Sequence, residues 1–278
     1  MEKEIKKENR TQLITSIVTV LLVVTALSYL TLLKSQRTLS HPARFYEQNE
    51  ISPENGIELP VKWGDKVAMM MESGVIDGSK LPYDTSNGNL VINSQNSHAM
   101  LNMLWAFGLG NKNPILENGP MMDPRYGRAG NFASTGGWTL ARGNAMTHYS
   151  MHKFITLTQE QQELVERVAK NIYRPCCDNS TYFPDCNHGM AMLGLLELMA
   201  SQGATESEMY KTALQVNIFW FPDQYEVVRT FIVSQNIDWN AVDPKKILGV
   251  EYSSASGFQN VLSQAQPQEK KNGTSCGI

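Results

Sequence analysis

"NHGMAMLGLLELMAS", residues 187–201, decides how this chain folds. The stretch is apolar nearly all round. A surface helix carries a polar face, whereas a helix apolar on every side is buried by its neighbours. The expectation is a central helix over Asn187 to Ser201 with other helices packed around it.

Moving outward, the flanks supply those helices. Thr158 to Tyr173 opens with Thr158, Glu160 and Gln161, a helix-start pattern, and carries Leu164, Val165, Val168 and Ile172 at helical spacing. Downstream, helices are expected over Glu206–Val216, Gln224–Ser234, Val242–Leu248 and, briefly, Gly257–Ser263. Upstream, Val61–Ser73 and His98–Leu109 show the same apolar patterning and end at glycines. Ser73-Gly74, Ser201-Gln-Gly203 and Ser234-Gln-Asn236 read as helix stops, because Gly and Asn accept the left-handed conformation. Asp or Thr follows each stop and can begin the next helix. The fold class is all-α, with short helix–turn–helix connections. "NLVINS", residues 89–94, is at most one short strand.

The helical pattern breaks over residues 110–145, which are rich in glycine and carry Pro114, Pro120 and Pro124. Loops this long inside a compact domain are uncommon and are usually functional or disordered. Tyr126, Phe132 and Trp138 argue for an ordered loop lying over the helical body.

The ends differ from the body. Residues 1–10 carry Lys3, Lys6, Lys7 and Arg10, and residues 11–33 run without a charge. An apolar helix of roughly 20 residues spans a bilayer core, so 11–33 reads as a transmembrane signal-anchor. A cleaved signal peptide is the rival, but its apolar region is usually only about 7–15 residues. The expected layout is a cytoplasmic tail (1–10), the anchor (11–33), a polar linker (34–60), a helical domain outside the cytoplasm (61–263) and a flexible tail (264–278). The chain has 24 basic and 27 acidic residues, so no basic excess points to nucleic acid. Outside the cytosol disulfides can persist, yet four cysteines are too few for a disulfide scaffold.

Three of those cysteines lie in "CCDNSTYFPDCNHG", residues 176–189. Cys176, Cys177, Cys186 and His188 offer thiolate and imidazole, ligands that suit soft ions. Copper is the first expectation and zinc the second. The spacing has no Cys-x-x-Cys pair, so it matches no zinc signature, and adjacent cysteines tend to point apart. A disulfide from Cys176 or Cys177 to Cys186 is the plainer reading, a staple contributing about 2–3 kcal/mol. A staple alone does not require the second adjacent cysteine, and a loop tied between two helices does not need one to find its place.

His148 and His152 in "AMTHYSMH" are spaced i, i+4, which on a helix puts both rings on one face as a second candidate ligand pair. Met146, Met151, Met190 and Met192 lie close to these histidines in sequence, and thioether favours Cu(I). If the two segments pack together, a Cys/His/Met pocket results. Cys276, on an arm of about a dozen residues that reaches roughly 35–40 Å, is a mobile accessory thiol. Cys176, Cys177, Cys186 and Cys276 are the redox candidates.

Other motifs are weaker. "GNFASTGGWTLARGN" lacks the phosphate-loop pattern, and Ser134 has no nucleophile-elbow context. Asp123 with Arg125 or Arg128 reads as a structural ion pair. Asn179-Ser-Thr181 and Asn272-Gly-Thr274 match glycan acceptors. The functional expectation is soft-metal binding or thiol redox, with metal handling or transfer and a metal- or thiol-exchange partner protein. The alternative is a non-catalytic interaction or scaffold module whose cysteines form a structural disulfide.

Overall fold

A computed structural model describes residues 51–53, 55–80 and 88–265. The expected tail 1–10, the anchor 11–33, most of the linker and Cys276 lie outside the described residues. Among the described residues no helix is long and apolar enough to cross a membrane. The fold there is mainly helical.

Two helices form its axis. α2 is Ser97–Gly110 and α4 is Asn187–Ser201, with α1 (Lys66–Ser73) before them and α3 (Gln159–Ala169) between. Met190 to Ala200 of α4 are all buried, as a helix apolar on every side requires. α2 and α4 touch backbone to backbone. A Cβ placed on Gly194 would lie 2.8 Å from the Gly108 amide nitrogen, and one on Gly108 2.9 Å from that of Gly194. Only glycine permits this approach.

α3 starts as its sequence suggests. Thr158 accepts from the Gln161 amide and Gln161 answers at the Thr158 amide, a reciprocal cap. Gln161 also donates to Ala200 O and Gln162 to Asn113 Oδ1, so the start of α3 ties the C-terminal ends of α4 and α2 together. α5 (Glu206–Trp220) opens with the same reciprocal cap from Thr205 and Glu208. α6 (Pro222–Ser234) and α7 (Ala255–Ala265) enclose a second, smaller cluster around Tyr225, Val228, Ile232, Phe258 and Val261. The expected left-handed stops are all present: Gly74 has φ 84°, Gly203 85° and Asn236 61°.

Two expectations need correction. β1 (Ile57–Lys62) and β2 (Asn89–Ile92) pair antiparallel, so the linker's end and the first residues of the expected first helix are strand. Leu59, Val61 and Trp63 are buried and alternate with exposed Glu58, Pro60 and Lys62, which is a strand's period rather than a helix's. The helix therefore begins at Lys66, after Gly64, and not at Val61. The glycine-rich stretch is ordered and lies over the helical body, with helical turns at Pro114–Asn118 and Ala133–Gly136. Trp138 donates to Val75 O at 2.9 Å, Trp105 donates to Ser134 O at 2.6 Å, and the two indoles pack with centroids 4.8 Å apart.

Candidate metal centre

The segment between α3 and α4 folds back on itself. Cys177 N donates to Arg174 O at 3.3 Å, which closes a turn with Pro175 and Cys176 at its centre. Proline sets the backbone for the first central position of such a turn. Thr181 N returns to Ile172 O and Tyr182 N to Ala169 O, so the loop leans against the end of α3. The loop ends at Cys186, the N-cap of α4. Its sulfur accepts from the Gly189 amide at 3.3 Å, the role usually taken by a Ser or Asp oxygen.

This path gathers the thiols. Cys176 Sγ lies 3.6 Å and Cys177 Sγ 3.8 Å from Cys186 Sγ. Cys176 Sγ is 3.9 Å from His188 Nδ1, and Cys177 Sγ is 3.9 Å from Asp185 Oδ1. A disulfide is about 2.05 Å long, so all three cysteines are free. Although adjacent cysteines tend to diverge, the tight turn brings both within reach of the same third sulfur. Two sets of ligand atoms, each within 4.8 Å of one another, can hold an ion: Cys176, Cys186 and His188, and Cys177, Asp185 and Cys186. Cys176 is exposed, while Cys177, Cys186 and His188 are half-buried. The His188 ring is held by Phe221, with ring centres 4.5 Å apart, and by Trp220.

Beneath the sulfurs lies a residue that sequence reading missed. Arg174 is fully buried, and its donors all go to the cysteine loop. Nε donates to Cys186 Sγ at 3.1 Å, Nη1 to Asn179 O at 2.9 Å, and Nη2 to Asp185 Oδ1 at 3.0 Å and to Phe183 O. Asn179 Nδ2 in turn donates to Asp185 Oδ2 at 2.8 Å. Gly189 makes room for this guanidinium, since a Cβ there would lie 2.6 Å from Arg174 Cζ. The only signal in the sequence is an arginine between apolar Ile172 and Pro175, and that does not announce a buried counter-charge. The same bonds engage the Asn179 side chain and bury Thr181, so this glycan-acceptor pattern is built into the loop.

The electrostatics favour one thiolate. The Cys176 and Cys177 thiols donate to Cys186, with further help from His188 and Arg174, and hold it far below the usual thiol range against the opposing effect of burial. Its two neighbours are raised. For Cys176 the cause is hydrogen bonding with Cys177 and Cys186, followed by burial. For Cys177 the bond to Cys176 acts downward, but the bond to Cys186 and burial outweigh it. Burial works against the Arg174 charge, and the surrounding sulfurs more than offset it.

The structure does not bring the two histidine segments together. Trp220, against His188, donates to Ser97 O at the start of α2. His152 N donates to Gly110 O at the end of that helix. Fourteen residues of helix separate these points, about 20 Å at 1.5 Å per residue. Nor do His148 and His152 lie on a helix. A short 3₁₀ turn, Ala145–Thr147, and left-handed Ser150 (φ 54°) bring their rings together instead. His148 Nε2 faces Arg142 O at 3.0 Å, so that nitrogen carries the proton. His148 Nδ1 then accepts from His152 Nε2, also at 3.0 Å. Burial, and then the electrostatic effect of neighbouring His148, lowers the His152 pKa. Met190 points about 200° around α4 from His188, and Met190 and Met192 are both fully buried in the main core. The expected ion pair of Asp123 with Arg125 is present on the surface.

Comparison of this chain with protein-family models, with curated proteins and with solved structures finds no match.

Proposed function

We propose that this chain is a membrane-anchored helical protein that handles a soft metal ion at Cys176, Cys186 and His188, with Cys177 adjoining. The observation that carries the reading is the sulfur spacing. Bonds of about 2.3 Å from a tetrahedral ion to two thiolates put the sulfurs about 3.8 Å apart. The two separations from Cys186 are 3.6 and 3.8 Å. Thiolate and imidazole suit Cu(I) and Zn(II), with copper the first candidate and zinc the second. Exposed Cys176 leaves one side of the centre open, which suits delivery to or from a partner protein. The charge-free run 11–33 supports a single-pass anchor, with the tail 1–10 in the cytoplasm and the domain 61–263 outside it.

The test is elemental analysis of the full chain, purified in detergent under reducing, oxygen-free conditions, with thiol titration alongside. One copper or zinc per chain, lost in Cys186→Ser, is the expected result. A chain with all four thiols titratable and no bound ion, even after incubation with either metal, overturns the reading.

A further inference from the structure

The proposed centre contains one more sulfur than a single disulfide uses, and its most exposed sulfur is the one nearest Cys186. Cys176 is open to solvent and 3.6 Å from Cys186. Cys177 is half-buried, near Asn179 O and the Asp185 carboxylate. Cys186 is held from below by Arg174 Nε and from its own helix by the Gly189 amide. An attacking sulfur, a receiving sulfur and a fixed donor cradle are thus aligned at one surface.

We propose that this centre carries out thiol–disulfide exchange with an external small-molecule disulfide, entering at Cys176, closing the Cys176–Cys186 bond and so expelling the ion. The proposal rests on the soft-metal reading above. In the first step Cys176, deprotonated as a ligand of the ion, attacks one sulfur of the external disulfide. A mixed disulfide forms, and one external thiolate leaves and takes a proton from water. In the second step the Cys186 thiolate attacks Cys176 Sγ, closes the internal bond and expels the other external thiolate, which is likewise protonated. Two electrons pass from the two protein sulfurs to the external disulfide, which ends as two thiols. The ion keeps its charge. It loses two of its three ligands at once, and a disulfide sulfur no longer carries the charge that held it.

Closure requires the two sulfurs to approach from 3.6 Å to about 2.05 Å, a shift within reach of side-chain rotation in an exposed turn. The inner cysteine, Cys177, is spared and stays a thiol; before closure its sulfur lies 3.8 Å from Cys186 Sγ.

The experiment uses the full chain carrying Cys276→Ser, loaded with zinc as the probe. Metal content is measured first, then oxidised glutathione is added. Zinc release is followed with a chromogenic chelator and the new bond is located by peptide mass spectrometry. One zinc released per Cys176–Cys186 bond, with rebinding after reduction, is the expected result. A chain that forms the bond and retains zinc, or that releases zinc without it, overturns the proposal, as does a bond formed only at Cys177. If the reduced chain never binds zinc, the soft-metal reading fails before the oxidant is added, and the release mechanism fails with it. Disulfide mapping then still reports whether the exchange chemistry occurs.

Discussion

The Arg174 guanidinium lies against the Cys186 sulfur, Nε to Sγ 3.1 Å, with no solvent on any side of it. It is both the counter-charge of the thiol cluster and the post around which the cysteine loop winds. Breaking a buried charge pair by removing one partner costs about 3–5 kcal/mol, because the other is left uncompensated. Arg174→Met is therefore expected to lose about that much unfolding free energy, read from a urea transition. Arg174→Lys keeps the charge but cannot span four acceptors, so it should fall between Met and the natural chain. A loss below about 1 kcal/mol in the Met variant would refute the post.

Cys186→Ser separates the fold from the chemistry. A serine oxygen caps a helix start well and can accept from Arg174 Nε, and Asp185 remains as a counter-charge, so the variant should stay folded and lose less than Arg174→Met. The variant should nevertheless bind no zinc or copper by elemental analysis. Metal retained at the natural stoichiometry would show that Cys186 is not the shared ligand.

The crossing of α2 and α4 makes a third prediction. Alanine favours a helix over glycine by about 1 kcal/mol. At Gly108 the added methyl runs into Met190 O, and at Gly194 it meets Leu104 O at 2.5 Å, both backbone atoms of the facing helix. Overpacking of this kind costs about 1–3 kcal/mol. Gly194→Ala is expected to lower the melting temperature despite its better propensity, and an unchanged or raised midpoint would contradict so close an approach.

Glu197 lies within that same core, fully buried, donating nothing and accepting from Asn111 Nδ2 at 2.8 Å. Burial raises its pKa well above the usual carboxylate range, with Asn111 and Asn113 acting against the shift. The folded state thus keeps a proton that the unfolded chain releases. Its stabilising contribution is full below the unfolded pKa and is lost as pH rises toward the folded value, by about 1.4 kcal/mol per pH unit. Glu197→Gln removes that dependence. The stability of the variant relative to the natural chain should increase as pH rises above the unfolded carboxylate value. Parallel pH profiles for the two proteins would mean that Glu197 is ionised in the fold.

Local rules made much of this architecture legible. α4 spans Asn187–Ser201, as its apolar run implies, and Thr158 with Gln161 caps α3. Gly74, Gly203 and Asn236 stop helices in the left-handed conformation. Each of these depends on residues a few positions apart, which any one-dimensional reading can compare. β2 falls within 89–94, where one short strand was expected, but its partner β1 was missed for a related reason. Ile57, Leu59, Val61 and Trp63 carry the alternation, but Val61 and Trp63 also fit the apolar spacing of the helix that follows.

By itself, then, the sequence determined the helical class, the central buried helix and the collection of three cysteines on one inter-helix loop with a histidine at the start of the helix that follows. Only the tertiary structure decided which of those groups share a site. It left His148 and His152 about a helix length from the thiols, bonded to each other, because α2 lies between the two segments. It also placed Arg174 beneath Cys186, in space that Gly189 leaves open. Spacing along a chain constrains neighbours. A buried charge and the sulfur it holds, twelve residues apart, meet only when the core has chosen the path between them.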